Sequence, residues 1–283
     1  MPLISGKYIY LLFVIFYINA ILKPEKELFL HMNHNFIIGP TDTDSISFCK
    51  PDGLPFTNQE LLVLMDEIAF LSPEYMDWDL EGVFSSCLAI KAKNYILLNG
   101  EDKEVKGSAF KSSNKEPALR ELMDKLVDVL LKDGTTSDCI SLYESYIKES
   151  MNIKDISRWA TKKTITKAVL TGERKNETKV LEAIGNDHVN EGDKIWVYNA
   201  LDGEIQASAK GVPTTYADGT PKMIPNAILK QTKNWTQDHD PLHYAERVYD
   251  TISILSTVLD MSLFIKYHSK KNKNLLDELC KNG

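Results

Sequence analysis

Positive charge is in short supply. Lys and Arg number 33 against 40 Asp and Glu, so the 283-residue chain carries a net charge of -7 and has a pI near 5.5. Attachment to nucleic acid by bulk charge is excluded, and any such contact has to come from a local basic face. Cysteine is scarce as well. Cys49, Cys87, Cys139 and Cys280 lie far apart with no C-x-x-C pair, which argues against a zinc ribbon or a disulfide framework and fits a reducing compartment, the cytoplasm. Internal repeats and low-complexity segments are missing. No apolar run reaches the about 20 residues that a spanning helix needs. The nearest approach is Tyr8 to Ile18, YIYLLFVIFYI, inside an uncharged stretch between Lys7 and Lys23. A mean hydropathy of -0.24 argues against a multi-span membrane protein.

That apolar stretch has three readings: a buried helix or strand, a membrane anchor, or an abnormal start where a longer protein has been cut. Lys7 before it and Ala20 after it suggest a signal peptide, but no convincing small-x-small site follows and Lys23 to Glu27 is already charged. The first and third readings together are preferred, because short apolar runs are more often core.

What the chain does contain is ordinary globular material, 43% hydrophobic and 26% charged, enough for two domains or one large one. Asn35 to Ile38 and Ile46 to Phe48 read as strands around the polar turn Thr41 to Ser45, and Pro51-Asp52-Gly53 as a further turn. Glu60 to Leu71 has helical spacing through Leu61, Leu64, Ile68 and Leu71. Pro51 to Ile90 contains eight carboxylates and no Lys, Arg or His, the composition of a solvated face. Phe84 to Leu98 reads as one long strand or a pair. Asn99-Gly100 then predicts a hairpin into a strand over Lys103 to Phe110. Ser113 with Glu116 reads as a capping box ahead of a helix whose inner stripe is Leu119, Leu122, Leu126 and Leu130. Strand periodicity gives way to helical periodicity near Ser113, which places a domain boundary there.

Beyond it the pattern is mainly helical. Ser137 to Met151 and Asp155 to Leu170 read as helices. Lys194 to Tyr198 and Glu204 to Ser208 read as a hairpin closed by residues 199–203, Gly211 to Pro225 as a loop, and Asp240-Pro241 as the start of a last long helix through Ala245, Val248, Ile252, Leu255 and Leu259. His239 and His243 beside Asp238 and Asp240 suggest a metal site; an exposed helix N-terminus capped by Asp240 explains them better. Between Lys154 and Lys179 stand eight Lys or Arg and three acids, and Arg158, Lys162, Lys163 and Lys167 are spaced to share a helical face. Such a run is either solvated or laid along duplex phosphates.

The sharpest local signal is Asp42-Thr43-Asp44-Ser45 between two apolar strands. Carboxylates at i and i+2 of a tight turn suit Mg²⁺, which takes hard oxygen ligands and keeps waters and phosphates in its shell. An Asx-rich hairpin turn explains the same residues with no metal.

Three short motifs in order resemble the family B, or alpha-like, DNA polymerases, specifically their viral members. Thr41 to Ile46, TDTDSI, matches motif C (Tyr-Gly-Asp-Thr-Asp-Ser). Lys93-Asn94-Tyr95 matches the Lys-x-Tyr signature of the same palm, and Lys106-Gly107 the Lys/Arg-Gly that follows across a hairpin. Asp77 to Gly82 looks like the family's inter-motif segment, and the likeness runs over about Asn35 to Phe110. It implies an α+β chain: an atypical lead-in over residues 1–34, a partial palm of antiparallel strands with packed helices over 35–113, and a mainly helical thumb with a small β-hairpin over 114–283. It also implies template-directed nucleotidyl transfer by two Mg²⁺ ions. Asp44 would be a direct catalytic ligand and Asp42 its support. Lys93 and Tyr95 would hold the primer strand near its terminus. Lys106 would contact backbone phosphate, and Gly107 would permit close approach. Arg158, Lys162, Lys163 and Lys167 would lie along the duplex. Implied partners are primer-template DNA, a deoxynucleoside triphosphate and an upstream polypeptide carrying the exonuclease, fingers and motifs A and B, with no stable membrane association.

Two departures matter. Pro40-Thr41 replaces Tyr-Gly, so Pro40 must sit where no ladder hydrogen bond is needed. Motifs A and B are absent, since only 41 residues precede Asp42; the second metal-binding Asp of the two-ion site is therefore not in this chain. Asp138 to Glu144, DCISLYE, reads almost like motif A but lies on the wrong side of motif C and fits an amphipathic helix. Tyr17 to Lys23 resembles the end of the helix that leads into motif C. The expected chain is a polymerase C-terminal part that does not polymerise alone, or else a duplex-DNA-binding module derived from a thumb.

Overall fold

The computed structural model describes residues 9–15, 35–41, 45–70, 77–91, 93–107, 110, 115–171, 190–207 and 223–267. It is α+β, with antiparallel sheets and five α-helices among the described residues. The chain divides into two compact units. The first comprises Met1–Ser112, Asp124–Ile140 and Ser253–Met261; the second comprises Ser113–Met123, Ser141–Ile252 and Ser262–Gly283. A single cut near Ser113 therefore does not separate them, because helices α2 (Pro117–Leu131) and α3 (Thr136–Met151) contribute to both.

In the first unit, β1 (Ile9–Ile15), β2 (Ile37–Thr41), β3 (Ser45–Cys49) and β4 (Asp77–Phe84) form a sheet of order β2-β3-β1-β4. The apolar N-terminal run is thus a strand paired on both edges, antiparallel to β3 and to β4. Two flanking strands explain why it is apolar at consecutive positions. Helix α1 (Asn58–Phe70) leads from β3 to β4 with β1 lying between them, a split β-α-β unit. Among the described residues no helix is long and apolar enough to cross a membrane. The Tyr17 to Lys23 likeness lies outside the described residues.

The two faces of this sheet alternate as the strand period requires. Ile46 and Phe48 turn toward Leu64 and Ile68 of α1, with Phe36 and Phe56 completing the cluster. Phe36 stacks on Phe48 at 5.5 Å between ring centroids, and Phe56 meets both edge-on at 5.2 and 5.8 Å. Cys49, on the other face, joins Phe84, Cys87, Ala89, Tyr95 and Leu97. The last four belong to a second sheet of β5 (Ser86–Lys91), β6 (Asn94–Asn99) and β7 (Asp102–Lys106) in the order β5-β6-β7. Residues 84–98 are therefore a strand end and a hairpin, and Gly100 at φ 61 turns β6 into β7, as Asn-Gly predicts. The strand expected to reach Phe110 stops at Lys106, because Gly107 takes φ 89.

Burial pushes the Cys87 thiol up to about 12 and the Cys139 thiol to about 11. Cys49, Cys87 and Cys139 are free and buried, the setting of inert structural thiols.

Helix starts follow local chemistry. At α1, the Glu60 carboxylate accepts from Thr57 N–H at 2.7 Å, Glu60 N–H donates to Thr57 Oγ1 at 3.2 Å, and Lys50 Nζ adds a bond at 2.7 Å. The Lys50 bond and the two Thr57 contacts hold the exposed Glu60 carboxyl down at about 2. Helix α2 buries Leu119, Leu122, Leu126 and Leu130 as predicted. Its expected Ser113–Glu116 box is replaced: Pro117 takes the first helical position, and the Glu116 carboxylate turns to Arg247 instead. Ser113 itself lies outside the described residues.

The second unit carries more strand than its sequence predicts. The helix expected over Asp155–Leu170 is instead a 3₁₀ turn (Ile156–Arg158), strand β8 (Thr161–Thr164) and a one-turn helix α4 (Lys167–Leu170). Thr161, Thr164, Ile165 and Thr166 are β-branched and favour extended backbone, and β9 supplies the partner. The expected 194–208 hairpin is one continuous strand, β9 (Lys194–Ala207), paired with β10 (Met223–Gln231) in a sheet of order β10-β9-β8. Pairing jumps from Leu201↔Ala227 to Ile205↔Pro225, so Asp202-Gly203 lies in a bulge rather than a hairpin turn. Pro225 sits at that irregularity, where a missing N–H is tolerated. Helix α5 (Pro241–Ile252) is capped by Asp240, whose carboxylate accepts from His243 N–H at 3.0 Å. It ends at Ile252, and a 3₁₀ turn carries Leu255 into the core.

Candidate functional site

The predicted metal turn is carried by the β2–β3 hairpin. Asp42, Thr43 and Asp44 lie outside the described residues; the strands on either side are described. Ile38 pairs with Phe48 and Thr41 with Ile46, so β2 spends three residues where β3 spends two. The extra residue makes a bulge at Gly39-Pro40, on an edge strand, which is where a residue without an N–H fits. Ser47 is fully buried, and its hydroxyl donates to the Pro40 carbonyl left over by the bulge. A Cβ on Gly39 would stand 2.6 Å from that same Ser47 Oγ. Gly39, Pro40 and Ser47 thus form one fitted unit that brings the chain into the turn, in place of the Tyr-Gly of the resembled motif.

Two carboxylates are the right donors for Mg²⁺, but this chain does not complete a two-ion site around them. The strand beside β3 is β1, and its sequence IYLLFVI offers no ligand. Asp79 of β4 aligns with Phe13, which aligns with Ser45 on the far side. Two strand spacings, about 10 Å, separate Asp79 from Ser45, and side chains standing upright on a sheet do not close that gap. Asp138, the motif A look-alike, is a helix cap: its carboxylate accepts from Thr135 N–H at 2.8 Å and Thr135 Oγ1 at 2.7 Å, and these contacts hold its acid down.

The Lys-x-Tyr and Lys-Gly residues meet on the second sheet. Tyr95 and Lys106 are register partners across β6 and β7. Gly107 follows directly, and a Cβ there would lie 2.2 Å from the Lys93 carbonyl oxygen and 2.6 Å from Asn94 Oδ1. The close approach expected of Gly107 is therefore to the chain's own Lys93-Asn94 turn. Lys93 is exposed at the tip of the β5–β6 hairpin with φ 60, a left-handed conformation that glycine or asparagine adopts more cheaply than lysine. Tyr95 is 3% exposed and belongs to the apolar cluster between the sheets, so its ring braces the hairpin from below. Lys106 Nζ lies 2.6 Å from Glu104 and 3.4 Å from Glu81. The Glu104 hydrogen bond above all raises its pKa. Sequence reading missed Asn94, Glu81 and Glu104. Only the acidic run hinted at Glu81, and nothing flagged the other two.

The four basic residues of the second unit do not share a face. Arg158 is committed to Glu121 at 2.6 Å and Glu149 at 3.1 Å. Lys162 and Lys163 are consecutive on β8 and point to opposite sides. Lys167 begins α4. The helical spacing that aligned them does not apply to a strand. His239 and His243 are likewise not exposed. Both are half-buried, and burial lowers both pKa values; His243 Nε2 lies 2.8 Å from Asn199 Nδ2. Among the described residues no group of three His, Cys, Asp or Glu is placed to hold a metal ion.

A groove of about 520 Å³ opens at the Lys50 end of β3, lined by Phe36, Phe56, Glu60 and Leu64 among others. It touches none of the predicted residues. No family model matches the chain, and no curated protein matches it in sequence.

Proposed function

We propose that the chain is the C-terminal part of a family B type DNA polymerase, binding primer-template duplex through the Lys93 hairpin and the Asp42–Asp44 turn, and unable to polymerise by itself. The observation that carries this reading is the meeting of Lys93-Asn94-Tyr95 with Lys106-Gly107. These residues are singled out by resemblance alone, and they form one fitted corner, closed by a glycine that no other residue could replace without displacing Lys93. A lysine held at φ 60 on an exposed hairpin tip is an uncommon expense for a surface residue. Positioning a cation toward a phosphate accounts for it. Such contacts fix register on a duplex and read no sequence. A second reading, a duplex-binding module without chemistry, is favoured by the absence of a carboxylate on β1.

The test is fluorescence anisotropy with a labelled primer-template duplex across a salt series. Binding should weaken as salt rises, and Lys93→Gln should reduce the log-log salt slope by about one unit, as loss of one phosphate contact does. A slope unchanged by Lys93→Gln would remove the hairpin from the interface. No nucleotide addition is expected from the chain alone.

A further inference from the structure

β8 and β9 pair Lys162 with Trp196 and Thr164 with Lys194. Cross-strand partners share a face, so one side of the sheet presents two lysines, a threonine and an indole. Trp196 is 40% exposed, whereas Trp159, Tyr198 and Tyr244 of the same unit are each 1% exposed. Its exposure is not that of a core ring left half-covered, because the apolar side of this sheet end is the opposite one, where Ile195 packs on Ile165 and Val169. Lys162 Nζ stands 5.7 Å from the Trp196 ring centroid, close enough for a cation–π contact that holds the indole in place. Asp193, the nearest acid in sequence to Lys194, accepts from Asn190 N–H at 2.7 Å and is so drawn into its own turn.

We infer that this face binds an unpaired nucleic-acid strand, with a base stacked on the Trp196 indole and adjacent phosphates met by Lys162 and Lys194. A flat aromatic ring flanked by cations is the element that single-strand binders use, and it is sequence-tolerant because every base has a π-face. A duplex, with its bases already stacked on one another, offers no such partner to the ring. The choice of nucleic acid as ligand rests on the reading proposed above, and the inference adds to it a second kind of strand: single-stranded template beside the duplex.

The experiment uses the full chain with a labelled 20-nucleotide oligo-dT and, separately, with a duplex of equal length. Trp196→Ala should weaken oligo-dT binding roughly 5- to 150-fold and leave duplex binding within about twofold, while Trp196→Phe, which keeps a ring, should retain most of the affinity. Lys162→Gln with Lys194→Gln should reduce the oligo-dT salt slope by about two units. That pair tests the face independently if the alanine variant fails to fold, as far-UV circular dichroism would show. Oligo-dT binding that is absent, or unchanged in both Trp196→Ala and the lysine pair, overturns the inference, and a ring exposed to receive a protein would give that second outcome. Loss of duplex binding alone in the wild-type chain would instead sink the polymerase reading and leave Trp196-dependent oligo-dT binding standing.

Discussion

Gly107→Ala is expected to lower stability by about 2–5 kcal/mol, the sum of left-handed backbone strain and overpacking against a neighbour that cannot move. The neighbour is what makes the site severe. At φ 89 any side chain is strained, and here the new methyl carbon would also stand 2.2 Å from the Lys93 carbonyl oxygen. That oxygen is backbone, on a residue already held in a left-handed conformation, so relief requires the whole β5–β6 tip to shift. Gly100 is the control. Its φ of 61 carries the same kind of strain, yet nothing lies within 4 Å of its hypothetical Cβ, so Gly100→Ala should cost only about 1 kcal/mol. Urea unfolding of both variants, read as a midpoint shift at constant slope, separates the two contributions. Equal losses would mean that Gly107 does not approach Lys93 as described. Duplex affinity should fall in the folded population of Gly107→Ala as well, because the displaced residue is Lys93.

Arg247→Met should be nearly as damaging, costing about 3–5 kcal/mol, the range for stranding one partner of a buried ion pair. Glu116 is 2% exposed, and its two carboxylate oxygens accept from Arg247 Nε at 3.0 Å and from a terminal guanidinium nitrogen at 2.8 Å. Both bonds tie the residue at the start of α2 to α5. Without the guanidinium, Glu116 keeps its burial and loses its compensation. The double variant Glu116→Gln with Arg247→Met should recover a large part of the loss, since it removes the stranded charge along with its partner. A cycle with no recovery, the two losses simply adding, would show that the pair is not coupled. Thermal unfolding of the four proteins decides it.

What the sequence disclosed and what it hid follow one physical division. Elements decided by neighbours close in sequence were legible: the hairpin around residues 42–44, the turn at Asn99-Gly100, and the stripes of α1, α2 and α3. Elements decided by a distant partner were not. Arg158, Lys162, Lys163 and Lys167 recur at helical intervals by coincidence, and only β9, more than thirty residues on from Lys162, makes a strand of that segment. Asp202-Gly203 carries a turn signal, but β10 pairs on both sides of it and turns it into a bulge. Glu116 stands where a capping box would place it, and Arg247, 131 residues away, takes its carboxylate. At the candidate site the motifs named Lys93, Tyr95, Lys106 and Gly107 correctly as residues that meet. They did not reveal that Tyr95 is core or that Lys106 is already paired with carboxylates, because both facts depend on what the folded sheets bring alongside.

The most direct measurement is a hydroxyl-radical footprint of the chain on a recessed primer-template duplex, compared with a blunt duplex of the same sequence. Protection should concentrate on the backbone within a few nucleotides of the primer 3′ end, and Lys93→Gln should lift it there first. Protection spread evenly along both duplexes, indifferent to the primer end, would contradict the polymerase reading and leave a module that binds duplex DNA without addressing its terminus.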